Sequence, residues 1–142
     1  MPTPPTIAPP TDSRGSPPAT GRPGFPWFMR ITLLLQSVAI LAQAVTAGLL
    51  LASVPEGRTV HDAMAQFVLG AVVLNLLAAV LAWRPGGGSP RLILTSTPML
   101  VLTALQAVLG AAHVRELHVP LGVLMFGASV MLLMQARGGE TR

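Results

Sequence analysis

Four long apolar runs separated by short polar interruptions set the pattern of the chain. They cover residues 28–54, 63–83, 92–112 and 119–136, and no Asp, Glu or Arg falls deep inside any of them. Each is near the ~20 residues that cross a ~30 Å hydrocarbon layer as a helix. A helix closes its backbone hydrogen bonds within itself, whereas an open sheet leaves edges unpaired in lipid, so the runs predict helices. The interruptions are short: "PEGRT", "RPGGGSPR" and "VRELH". Short connections make consecutive helices antiparallel neighbours, which predicts an all-α, four-transmembrane-helix up-down bundle. Pro98 lies inside the third run. It is expected either to kink that helix or to mark its true first turn with Thr97 as N-cap.

The first 26 residues break this pattern. "MPTPPTIAPPTDSRGSPPATGRPGFP" is rich in Pro, Thr, Ser and Gly. It has too little apolar surface to offset its ordering entropy, and reads as a disordered Pro-rich tail with polyproline-II character. A secretory signal is not the reading, because the first apolar run begins only after Arg30 and is too long for a signal core. The chain thus divides into a tail at 1–26, a four-helix membrane domain at 27–137 and a short tail at 138–142.

Composition agrees with the pattern. Hydrophobic residues make up 51% of the chain and charged ones 10%, far below the roughly one quarter charged in a soluble domain. The net charge is +4, carried by arginines alone. They sit at the ends of the apolar runs and do not cluster on one face, so nucleic acid is not an expected partner. Arg14, Arg22 and Arg30 precede the first run, Arg84 and Arg91 flank the middle connection, and Arg137 and Arg142 follow the last. Only Arg58 and Arg115 lie on the other side, each with a glutamate nearby. The positive-inside rule then predicts a multi-pass protein of the cell membrane with both termini cytoplasmic, and Trp27 and Trp83 at the cytoplasmic boundary. His61, His113 and His118 all fall at the outer end.

The two halves of the chain share a pattern. "QAVTAG" from Gln43 matches "QAVLGA" from Gln106, and "VHDAMAQFVLG" matches "LHVPLGVLMFG". This pairs Gln43 with Gln106, His61 with His118, Gly70 with Gly127, and Arg58 with Arg115. A doubled helical hairpin gives an internal two-fold repeat about an axis along the membrane normal. Such symmetry brings His61 and His118 to one depth, where two neutral imidazoles can ligate one haem iron axially. On this reading the metal ligands are His61 and His118. Gly70 and Gly127 would make room for a flat ring, with Gly122 facing the same way as His118. Arg58 and Arg115 would pair with propionates at the surface. Asp62 and Glu116 would orient the rings by accepting their second N–H. The plainer reading keeps the same residues as interfacial histidines and packing glycines. His113 has no counterpart and reads as a loop residue. Gln36, Gln43, Gln66, Asn75, Gln106 and Gln135 are expected to hydrogen-bond between helices.

The chain has no cysteine, which removes disulfides, thiolate metal sites and covalent haem attachment. No catalytic triad, paired carboxylates or phosphate loop is visible. Gly86-Gly87-Gly88 lacks the Lys-Ser/Thr that would follow in a phosphate loop and reads as a flexible connector. An enzymatic role is therefore not the expectation.

Residues 105–126, "LQAVLGAAHVRELHVPLGVLMF", resemble the third-to-fourth helix hairpin of the haem A synthase family. The chain is also similar to small four-helix bacterial membrane proteins with outer histidines. The first resemblance implies one four-helix half of that fold, with His61 and His118 as a ligand pair at the outer ends of the second and fourth helices. It departs from the family's pattern in three ways. Arg58 stands where the reactive half has a glutamate, the outer-loop cysteines are absent, and a second half is not present. These departures speak against haem A synthesis by this chain alone. The expected functions are a module binding one b-type haem, for electron transfer or haem handling, or a cofactor-free accessory subunit. The expected partners are the lipid bilayer and a membrane complex or a second copy of the chain.

Overall fold

In hydrocarbon the backbone has to satisfy its own polar groups, and the four apolar runs do so as four α-helices. The computed structural model describes Met1 and residues 27–85 and 87–138. The helices are α1 (Trp27–Leu51), α2 (Gly57–Trp83), α3 (Arg91–Ala111) and α4 (Arg115–Gly138). All four are long and apolar enough to cross a membrane, so the chain is a multi-pass membrane protein. The shortest, α3, has 21 residues, about 31 Å at ~1.5 Å per residue. The Pro-rich tail expected at 1–26 lies outside the described residues beyond Met1. So do Gly86 of the glycine connector and residues 139–142.

Two helices begin earlier than the apolar pattern suggests. α2 starts at Gly57, ahead of the expected 63, and α4 at Arg115, ahead of 119. The polar connections wind into helix because each turn added satisfies backbone groups at the membrane boundary. His61 and His118 are therefore held on opening helical turns and not in loops. α3 likewise runs unbroken from Arg91 through Pro98. Thr97 is not its N-cap; its hydroxyl donates to the Ile93 carbonyl at 2.8 Å.

Around the bundle, α1 packs against α2 and α4, and α3 against the same two. α2 and α4 are thus diagonal partners across the core, which is what lets a residue on each meet at the axis. Small and polar residues make up much of the interior, alongside Leu33, Ile40, Val68, Val72 and Leu133. Ala39, Ala71, Ala78, Ala79, Ala82 and Ala136 are buried, with Met29, Met99 and Met125 filling between them. The large apolar side chains face outward, for example Phe67, Leu94 and Val123, each about two-thirds exposed or more. This is the arrangement of helices in lipid, where close packing of small residues and interhelical hydrogen bonds, and not burial of leucine, drive association.

Buried amides carry those bonds in the half of the bundle away from the histidines. Gln36 of α1 donates from Nε2 to Ser129 Oγ of α4 at 3.2 Å. Ser129 and Ser37 share a hydrogen bond at 2.8 Å, and Ser37 donates to the Leu33 carbonyl at 2.9 Å. Asn75 of α2 donates to Thr32 Oγ1 of α1 at 2.9 Å, and the Thr32 hydroxyl donates to the Met29 carbonyl at 3.0 Å. The expectation for Gln36 and Asn75 holds. Gln66 and Gln135 instead face outward.

Candidate functional site: a pair of histidines across the bundle

The C-terminal ends of α1 and α3 stop in the same way. Ser53 and His113 both adopt left-handed backbone, with φ of 56° and 59°. After α1, Ser53 N–H bonds Leu50 O and Val54 N–H bonds Leu49 O, both at 3.1 Å. After α3, His113 N–H bonds Gly110 O at 3.1 Å and Val114 N–H bonds Leu109 O at 3.0 Å. Each is a Schellman end, which captures two otherwise orphaned carbonyls and reverses the chain. His113 is accordingly an exposed turn residue. These ends pair Thr46, not Gln43, with Gln106. The two registers differ by three residues, nearly one helical turn, so Gln43 and Thr46 share a helix face.

From these ends the chain returns as α2 and α4, and their first turns carry His61 and His118 to the core. The imidazole centroids lie 6.3 Å apart with planes at 69°. Both rings are half-buried. Each is tied back to the helix preceding it in sequence. The Thr46 hydroxyl donates to the Gln43 carbonyl at 2.9 Å. With its hydrogen committed, Thr46 Oγ1 accepts from His61 Nδ1–H at 3.1 Å. The lone pair of His61 is then on Nε2, where it accepts from the side-chain amide of Gln43 at 3.2 Å. His118 Nδ1 faces the Gln106 carbonyl at 3.1 Å. A carbonyl only accepts, so this nitrogen also carries a proton. In the neutral form each ring is then the Nδ1–H tautomer, with Nε2 as the electron-pair donor. An N–H held by an oxygen partner is how metal-binding imidazoles are ordinarily oriented.

The glycines that make room are not the two expected. Gly70 and Gly127 are exposed, and a Cβ at either would meet nothing within 4 Å. The shared nine-residue spacing explains this: at about 3.6 residues per turn it is two and a half turns, which puts each glycine on the opposite side of its helix from the histidine. Gly110 and Gly122 do the work. A Cβ on Gly110 would stand 3.2 Å from His118 Cε1, and one on Gly122 would stand 2.9 Å from Gln106 Nε2. Gly122 lies four residues after His118, on the same face, as the sequence indicates. Gly110 was not foreseen, although it lies four residues beyond Gln106 on the face of α3 that meets His118.

Arg58 is exposed at the start of α2 and pairs loosely with Asp62, Nε to Oδ2 3.9 Å. Arg115 is exposed at the first position of α4, beside Glu116. The carboxylates expected to orient the imidazoles do not: Thr46 and the Gln106 backbone hold those positions. Thr46 gives little signal in sequence, since a hydroxyl inside an apolar run usually bonds its own helix.

The amide oxygens of Gln43 and Gln106 are buried without a hydrogen-bond partner. Among the described residues no group of three or more His, Asp or Glu gathers as a metal site, so what the site offers is two imidazole nitrogens. A metal held by two imidazoles at about 2 Å each calls for ring centroids roughly 6 Å apart, close to the separation found. No protein-family model, no curated protein and no solved structure matches the chain.

Proposed function

We propose that this protein is a four-helix module of the cell membrane that binds one b-type haem through His61 and His118 near the outer face. The observation that carries the reading is the meeting of the two rings from diagonal helices at 6.3 Å, with each Nδ1 facing an oxygen, so that Nε2 of the neutral ring carries the electron pair. That donor set fits axial ligation of iron. A haem held this way supplies a reversible one-electron carrier. The chain's own residues fix the rings through Thr46 and Gln106, admit the His118 and Gln106 side chains at Gly110 and Gly122, and offer Arg58 and Arg115 for propionates at the surface. Small residues and amides elsewhere in the core hold the helices at fixed spacing. The likeness of residues 105–126 to the haem A synthase family supports the same pair. The arginine distribution supports cytoplasmic termini, with the histidine end outside. An electron-transfer or haem-handling role follows from these features.

A second reading, a cofactor-free accessory subunit, rests on a specific contact. Gln43 already satisfies His61 Nε2, so the pair can serve as interhelical hydrogen bonding alone. Exposed Gln66 and Gln135 offer amides that a neighbouring subunit or a second copy would satisfy.

Purification from cells supplied with haem separates the two. The haem reading expects about one non-covalent haem per chain, lost in both His61→Ala and His118→Ala. A colourless protein whose folding and yield are indifferent to both substitutions supports the accessory role.

A further inference from the structure

The two histidines are alike in tautomer but not in availability. His61 Nε2 accepts from the Gln43 side-chain amide. For His118 the hydrogen bond found is at Nδ1, and its Nε2 is not held by the amide of Gln106. On the assignment that His61 and His118 ligate haem iron, we propose that Gln43 is a latch: its amide N–H competes with the metal for the His61 lone pair, so that His118 ligates first and His61 joins only when Gln43 lets go.

The orientation of the latch is set by chemistry. The Thr46 hydrogen is committed to the Gln43 carbonyl, so His61 Nδ1 is the donor to Thr46 and Nε2 has only a lone pair to present. An amide oxygen turned toward that lone pair would be repelled, so the amide nitrogen faces the ring. Oε1 of the same amide is buried with no partner, as are those of Gln36 and Gln106. Opening needs no proton transfer. His61 keeps its Nδ1 proton on Thr46, and the Nε2 electron pair passes from the amide N–H to the metal.

A residue that merely packs beside the ring would respond to size. A latch responds to what its end group donates. Gln43→Leu removes the competing N–H while keeping bulk. With a net hydrogen bond worth on the order of 1 kcal/mol, hemin should bind about fivefold tighter. Gln43→Glu puts an acceptor against Nε2 and favours a proton there, which ties up the lone pair, so hemin should bind more weakly. Gln43→Ala serves as a second donor-free variant in case leucine disturbs packing.

The test is a hemin titration of the detergent-solubilised full chain as wild type, Gln43→Leu, Gln43→Ala and Gln43→Glu. His61→Ala is the reference, and circular dichroism checks helicity. Tighter binding in the leucine or alanine variant together with weaker binding in the glutamate variant supports the latch. So does a five-coordinate species that precedes the six-coordinate one in wild type and is lost from the leucine variant. If wild type binds hemin through His61 but the donor-free variants bind equally or less well, the latch is overturned and the haem assignment stands. If wild type binds no hemin, both fall together.

Discussion

At the scale of single residues, the site depends on which atom of each imidazole is held. Thr46 Oγ1 and the Gln106 carbonyl accept from Nδ1–H of His61 and His118, which fixes ring orientation and leaves the electron pair of the neutral ring on Nε2. Replacing Thr46 by Val removes the acceptor for His61 without changing bulk. Partners of this kind are commonly worth 10–100-fold in metal affinity, so Thr46→Val is expected to weaken hemin binding by that factor, measured by titration. An unchanged affinity would mean that Thr46 does not orient the ring. The histidine pair itself was legible in the sequence, because a polar aromatic at matched positions stands out in apolar runs. Its supports were less so. Thr46 looks like an ordinary helix residue, and a backbone carbonyl such as that of Gln106 leaves no trace in sequence. Gly70 and Gly127 drew notice by their equal spacing, but that spacing carries them to the far side of their helices.

At the scale of elements, the spans were legible because lipid imposes one solution on a long apolar run. Their outer ends were not, since the turns at 57–62 and 115–118 are polar and join the helices for backbone reasons. The Schellman ends of α1 and α3 determine where the return helices start, and so the depth of the histidines. Both use a non-glycine residue in the left-handed region, which costs about 1–2 kcal/mol. Part of that is recoverable, after allowing for the greater chain entropy of glycine. His113→Gly is therefore expected to stabilise the fold by roughly 0.5–1 kcal/mol, seen as a higher unfolding temperature in detergent with hemin binding unaffected. Gly57 is under the opposite constraint. A Cβ there would come within 2.9 Å of the Leu50 backbone nitrogen, so Gly57→Ala is expected to destabilise the α1–α2 hairpin and lower the unfolding temperature. No change in the alanine variant would show that the helices separate without cost at this turn.

At the scale of the whole molecule, the bundle is organised in layers. One layer holds His61, His118, Gln43 and Gln106. A middle layer of Ile40, Val68, Val72, Met99 and Met125 is apolar and buried. Below it lie the hydrogen bonds of Gln36, Ser37 and Ser129 and of Asn75 and Thr32. The apolar layer separates the two polar ones, so the histidine layer lies toward one end of the bundle. The arginine distribution predicts that this end faces outside. The chain has no cysteine, so single substitutions report orientation directly. Ser53→Cys should react with a membrane-impermeant thiol reagent in intact cells, and Ser89→Cys only after the membrane is opened. The reverse pattern would put the histidines on the cytoplasmic side.

The central claim is that His61 and His118 together occupy both axial positions of one haem. The most direct measurement is the absorption spectrum of the hemin-loaded protein in the ferric and dithionite-reduced states. The account predicts a low-spin, six-coordinate spectrum in both, turned five-coordinate and open to carbon monoxide by either His61→Ala or His118→Ala. A high-spin spectrum in the wild-type protein, or one that neither substitution alters, would contradict it.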